Sequence, residues 1–425
     1  MLIVAIAFIL LLIFGLPIAF VIGVTGILHL SLIPNSNLFE VITQRLFSGI
    51  NDFSLLAIPF FVLAGELMNA SGITSRLLAL SKNLVGHLRG GLAYVNVLIG
   101  LFLGAILGSA NAEAAIRSSV VVPEMEKQGF PRKFAAALTA TSSVLGPIHP
   151  PSIVFIIYAV MTSSSVGAMF LAGIIPAFLI ALAHMVVIYF FARKMDLEIH
   201  PFPSLKKLFM SIVESLPALS IPLIILGGIY SGMFTPTEAG AVACFVAFVV
   251  GVFFYKELKL SQLPRIFFNT GLITSSVTII ISAASIIGWT LTIEQLPQKT
   301  AEFLLSLSDN TYVILLLINI FLLIVGMFME VTAALIILVP VLFPVVTALG
   351  IDPIHFGLIV CLNLCIGFVT PPVGVVLYVT SNITKVDVPE IVKSALPFLA
   401  ALIVVLIIVT FVPAVSLWLP RALGF

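Results

Sequence analysis

Thirteen uninterrupted apolar runs limit what this chain can fold into. They cover 2–32, 53–70, 92–107, 109–126, 134–162, 166–192 and 212–233, then 237–255, 269–293, 311–330, 331–348, 357–381 and 392–419. At a rise of ~1.5 Å per residue, about 20 residues cross a bilayer core of ~30 Å, so most runs are long enough to span it. Strands of an outer-membrane barrel would alternate apolar and polar residues, and these runs do not. Only 9% of the residues are charged, against about 25% in an ordinary soluble domain, too few to cover a water-facing surface. The sequence therefore predicts an all-α polytopic membrane protein, one transmembrane domain over residues 1–425.

The remaining composition works by exclusion. Lys plus Arg is 19 and Asp plus Glu is 18, a balance that offers no basic surface to nucleic acid. The three cysteines, Cys244, Cys361 and Cys365, lie within apolar runs and point to helix packing rather than to a disulfide framework or a metal cluster. No P-loop is present, so ATP hydrolysis is not expected of this chain. Met1 to Phe14 lacks a basic start and a small-residue cleavage site, so it reads as a first membrane helix. Two amphipathic stretches, 38–50 and 73–88, are too charged to span and are expected along the interface.

Basic residues stay on the cytoplasmic side. They fall in four clusters: Arg76, Lys82 and Arg89; Lys127, Arg132 and Lys133; Arg193, Lys194, Lys206 and Lys207; and Lys256, Lys259 and Arg265. The runs between the clusters pair off evenly, so all four can be cytoplasmic together, with the turn Thr235-Pro236-Thr237 outside.

Sliding the chain against itself reveals a repeat. At an offset of 221, Pro123 falls on Pro344, Gly129 on Gly350 and Gly146 on Gly367. The same offset places Pro150-Pro151 on Pro371-Pro372 and Pro176 on Pro397. These residue types set backbone geometry, so a shared offset implies a shared local fold. Seven crossings separate the start of one copy at 92 from the other at 311. An odd number makes the copies enter from opposite faces, the inverted-topology repeat of secondary transporters, whose interrupted helices mark the binding site.

Four interruptions fall in these copies. The first contains Gly108, Ser109 and Asn111, and the second runs from Ser142 and Ser143 through Gly146-Pro147 and His149 to Pro150-Pro151-Ser152. The third contains Gly326, Glu330 and Thr332, and the fourth contains Asn363, Gly367, Thr370 and Pro371-Pro372. A proline frees the carbonyl one turn before it, and unsatisfied backbone in a bilayer costs several kcal/mol unless it lines a cavity or is buried in protein. Freed carbonyls beside Ser, Thr and Asn oxygens make hard-oxygen cages that suit Na⁺. Candidate Na⁺ ligands in the first copy are Ser109, Asn111, Ser142, Ser143, Gly146 and Pro147. Those in the second are Gly326, Glu330, Thr332, Asn363, Gly367 and Thr370. Proline-kinked packing helices with Ser and Thr bonded back to i−4 carbonyls are the plainer alternative.

Candidate substrate residues are Arg117, Ser143, His149 and Ser152. Glu113 and Arg117 lie four apart on one helix face and either neutralise each other or leave Arg117 to hold a substrate carboxylate. Glu330 has no obvious local partner, which favours cation coordination, since an ionisable residue within the membrane is functional by default. An intramembrane enzyme would need a compact acid/base or nucleophile set, and a channel would need a filter loop or lining rings. Neither pattern is visible.

With Ile58-Pro59-Phe60-Phe61, Gly65-Glu66-Leu67-Met68, Gly108-Ser109, Gly146-Pro147, Pro150-Pro151-Ser152, Gly326-Met327-Phe328-Met329-Glu330, Gly350-Ile351-Asp352-Pro353 and Thr370-Pro371-Pro372-Val373-Gly374, the chain resembles the large membrane subunit of tripartite ATP-independent periplasmic (TRAP) transporters. The resemblance implies Na⁺-driven import of an organic anion, of the sialic acid or C4-dicarboxylate type, across the bacterial inner membrane. It also implies a periplasmic substrate-binding protein and a small four-helix membrane subunit as partners, besides membrane lipid, and similarity to elevator-type ion-transporter folds. Arg117 and His149 depart from the family pattern, which leaves the substrate open. A stand-alone Na⁺- or H⁺-coupled dicarboxylate symporter is the alternative. In either case 92–162 and 311–381 are expected to form the mobile bundle, with 53–70 a candidate hairpin of it, and 1–52 and 212–293 the scaffold.

Overall fold

In a computed structural model of the chain, the described residues are 2–33, 39–195, 197, 201–308 and 310–425; position 38, where the first amphipathic stretch begins, lies outside them. These residues form helices joined by short turns, with no strand among them. Among the described residues, eight helices are long and apolar enough to cross a membrane, and nine if the pair Arg132–Ile148 and Ile153–Thr162, bent by 43°, counts as one span. Large apolar side chains such as Phe14 and Leu205 point outward, as expected of a surface solvated by hydrocarbon.

Several expected runs are broken where proline or glycine interrupts the hydrogen-bond ladder. The run 2–32 is two helices, Leu2–Ile13 and Ile18–Leu32, separated at Gly15-Leu16-Pro17. The run 357–381 is Pro353–Gly367 and Val375–Thr384, with a non-helical segment through Pro371-Pro372. The run 269–293 starts earlier, as Leu263–Ile293, because Pro264 sits in the first turn, where its missing N–H costs nothing.

Helix starts recur at the offset of 221. Gly91–Leu107, Ala110–Lys127, Arg132–Ser142 and Val166–Ala192 are answered by Thr311–Phe328, Val331–Ala348, Pro353–Gly367 and Val388–Phe411, each start within one residue of the offset. The amphipathic helix Ile73–Val85 is answered by Leu296–Leu307, which the sequence reading did not single out. Packing is exchanged between the copies. Ala110–Lys127 rests on Val375–Thr384, and Val331–Ala348 rests on Ile153–Thr162. Likewise Ile18–Leu32 lies on Leu263–Ile293, and Pro236–Val249 lies on Ala57–Ala70. The segment 53–70 thus sits among helices assigned to the scaffold.

The basic clusters gather at one end of the molecule. Arg76 bonds Glu257 at 2.8 Å and stacks over Tyr255, Lys82 pairs with Glu124, and Arg89 donates to the Met195 carbonyl at 3.0 Å. Ala110–Lys127 therefore returns to the end from which Gly91–Leu107 leaves. The two form a hairpin with its tip at Gly108-Ser109, and Tyr158 Oη, near the far end of Ile153–Thr162, donates to the Pro353 carbonyl at 2.6 Å.

Candidate functional site

The two hairpin tips meet at one cavity of about 310 Å³. In the first tip Gly108 closes Gly91–Leu107 in a left-handed conformation (φ +58°), which glycine adopts without a Cβ penalty. Ser109 then caps the next helix, its Oγ accepting from the Ala112 N–H in a long contact of 3.5 Å. In the second tip Glu330 holds the equivalent position and caps Val331–Ala348, its Oε2 accepting from the Ala333 N–H at 3.1 Å. Glu330 therefore has a local partner, contrary to the sequence reading. Glutamate is not among the favoured N-cap residues, so its backbone role was hidden.

Ser109 and Asn111 line the cavity from one side, and Glu330 and Thr332 from the other. Pro147 and Phe368, also 221 apart, contribute from the two broken helices. Ser276, Val277 and Ile280 of Leu263–Ile293 form a wall that no local pattern in the sequence indicated. Two helix N-termini thus face one space, each with unpaired N–H groups and a partial positive charge. Glu330 adds a carboxylate, and the buried oxygen Asn111 Oδ1 has no hydrogen-bond partner among the described residues. The lining therefore offers carboxylate, amide and hydroxyl oxygens, the hard donors that Na⁺ takes.

Other candidates lie behind this lining. Gly326 and Gly367 touch backbone to backbone: a Cβ on Gly367 would come within 2.6 Å of the Gly326 Cα. A Cβ on Gly146 would lie 3.0 Å from the Ser109 carbonyl carbon. In each copy a glycine thus lets the two interruptions approach. Thr370 donates to the i−4 carbonyl of Ile366 at 2.6 Å, the back-bonding of the plainer alternative, and Ser143 donates to the i−3 carbonyl of Ala140 at 2.7 Å. Ser152 donates to the Pro147 carbonyl at 2.5 Å and caps Ile153–Thr162. His149 Nδ1 faces the Pro150 carbonyl at 3.1 Å, and its ring meets Phe178 edge-on.

Arg117 does not line the cavity. It is fully buried, where its Nη2 donates to Glu113 Oε2 at 2.7 Å. Its Nη1 donates to Ser142 Oγ at 2.8 Å and to the Asn96 carbonyl at 3.0 Å. The guanidinium thereby ties the two hairpin helices to the end of Arg132–Ser142. At the repeat-equivalent of Ser142, Asn363 donates to Asn319 Oδ1 at 2.5 Å, and Asn319 donates to Thr410 Oγ1 at 3.0 Å. Asn96 and Asn319 were not singled out, although each is a lone amide inside an apolar run, a signal that could have found them.

Paired hairpin tips and broken helices around a central cavity define a polytopic transporter architecture. In fold the chain is similar to the YdaH transporter of Alcanivorax borkumensis, with a TM-score of 0.61 over 92% of this chain and 91% of that one, at 15% identity. Residues 5–415 match the family described as the DctM component of the tripartite ATP-independent periplasmic transporter. The chain is 41% identical over 407 residues to the sialic acid TRAP transporter large permease protein SiaM of Vibrio cholerae, covering 96% of this chain and 95% of that protein. It is 43% identical over 380 residues to the C4-dicarboxylate TRAP transporter large permease protein DctM of Pseudomonas aeruginosa, covering 89% of each. The chain belongs to the TRAP large permease family. It is a multi-pass protein of the bacterial inner membrane and a subunit of a secondary transporter, not an enzyme.

Proposed function

We propose that this chain imports an organic anion by Na⁺ symport, as the transporting subunit of a system that also contains a periplasmic substrate-binding protein and a small membrane subunit. One observation carries the reading: Ser109 and Glu330, equivalent in the repeat, cap two hairpin helices at the same cavity. The Glu330 side, with Thr332, supplies negative charge and hydroxyl oxygen for a cation. The Ser109 side, with no carboxylate among the described lining residues, leaves its helix N-terminus to a substrate carboxylate. The names of the relatives favour sialic acid or a C4-dicarboxylate. The exchanged packing and the Tyr158–Pro353 contact support an inverted repeat. In an elevator movement the two hairpins and two broken helices would shift along the scaffold wall at Leu263–Ile293.

Vesicles containing this chain and its small subunit test the reading. With the binding protein added outside, labelled sialic acid or succinate should accumulate; without it, uptake should fall to background. Equal uptake with and without the binding protein would make this a stand-alone symporter. No uptake of either carboxylate would reject the assigned substrate class.

A further inference from the structure

At the basic end a second cavity, of about 730 Å³, opens between the ends of three helices. Lys82 comes from Ile73–Val85, Lys127 is the last residue of Ala110–Lys127, and Lys207 lies in the first turn of Leu205–Tyr230. Glu124 is the one carboxylate among the described lining residues, and it pairs with Lys82. Lys127 and Lys207 have no ion-pair partner among the described residues and are exposed. His87 stands against Phe202 with ring centroids 4.8 Å apart, and its buried Nδ1 has no hydrogen-bond partner among the described residues.

We infer that this cleft binds the headgroup of an anionic phospholipid from the cytoplasmic leaflet. Three cations from separate elements facing one carboxylate leave two positive charges in excess among the described lining residues, the complement of a phosphate group. The position selects a lipid over a soluble anion. Lys127 and Lys207 sit at helix ends among the gathered basic clusters, which by the charge rule face the cytoplasmic headgroup layer. Directly beside them Phe202, Leu205 and Phe209 are 57%, 77% and 66% exposed, an apolar track down Leu205–Tyr230 along which an acyl chain can lie. Cationic pockets between membrane helices on the cytoplasmic side recognise lipid headgroups in this way, each lysine contributing about 1 kcal/mol near an anionic surface. A headgroup there would join Ala110–Lys127 to Leu205–Tyr230 and add to the Lys82–Glu124 pair. The site does not depend on the transport reading.

Delipidated protein in neutral detergent tests the inference, with native mass spectrometry and thermal unfolding as readouts. Short-chain phosphatidylglycerol should be retained and should raise the unfolding midpoint, while phosphatidylcholine of the same chain length should do neither. The double variant K127Q/K207Q should bind phosphatidylglycerol about thirtyfold more weakly, and E124Q should bind it more tightly. Equal binding of the two lipids would overturn the inference, as would an unchanged preference in K127Q/K207Q. If that variant does not fold, weaker binding by E124Q overturns it alone. A midpoint rise reproduced by glycerol phosphate at the same concentration would make the cleft a soluble-anion site instead.

Discussion

Joining Leu263–Ile293 to Val331–Ala348 through a disulfide in the variant G288C/P340C is expected to abolish uptake, and reduction should restore it. A Cβ built on Gly288 lies 3.8 Å from the Pro340 Cβ, inside the ~3.5–4.5 Å that disulfides use, so the bond can form without dragging either helix. Gly288 lies on Leu263–Ile293, the helix that walls the cavity further along its length, and Pro340 on the second hairpin, the two parts that must slide if access alternates. The variant G23C/A283C is the control. Its Cβ separation is 3.7 Å, but both positions lie in the proposed scaffold, on Ile18–Leu32 and Leu263–Ile293. Its cross-link should leave uptake unchanged. Complete cross-linking of G288C/P340C with uptake at the normal rate would show that these parts do not move against each other.

The second large effect concerns the buried ion pair. Arg117→Met alone should destabilise the protein by about 3–5 kcal/mol, because it leaves the Glu113 carboxylate buried and uncompensated. The double variant Glu113→Leu/Arg117→Met should recover most of that loss, since replacing a whole buried pair by apolar residues of similar size is often neutral. Unfolding midpoints in detergent and the yield of monodisperse protein measure both. Because Arg117 is held by Glu113, Ser142 and Asn96 and does not line the cavity, the double variant should also transport. A double variant that folds and binds Na⁺ but takes up no carboxylate would return Arg117 to the substrate. A single variant as stable as the wild type would show that the network contributes little.

Much of this architecture could be read from the chain, and the part that could not has a physical cause. Apolar runs marked the helices, and Gly146, Gly367 and the Pro-Pro pairs marked the breaks, because these residues act on their own backbone. The repeat was legible over 123–176, where the same backbone-setting residues recur. It was not legible at Ser109 and Glu330, nor between Ile73–Val85 and Leu296–Leu307, where different side chains serve the same structural role. Capping depends on an oxygen in reach of an N–H, which serine and glutamate can both place. The wall from Ser276 to Ile280 and the link from Asn363 to Asn319 are contacts between distant segments, set by how helices pack and not by local spacing. For the same reason the pairing of Glu113 with Arg117 was visible from their i, i+4 spacing, but the further bonds to Asn96 and Ser142 were not.

Coupling to Na⁺ is the centre of the proposed mechanism, and cation replacement at fixed pH tests it most directly. Vesicles holding this chain and its small subunit, supplied with loaded binding protein, are compared under an inward Na⁺ gradient and with choline in its place. Labelled carboxylate should accumulate only with Na⁺, and dissipating the gradient should stop net uptake. Accumulation at the same rate and to the same level in choline would contradict a Na⁺-coupled cavity between Ser109 and Glu330.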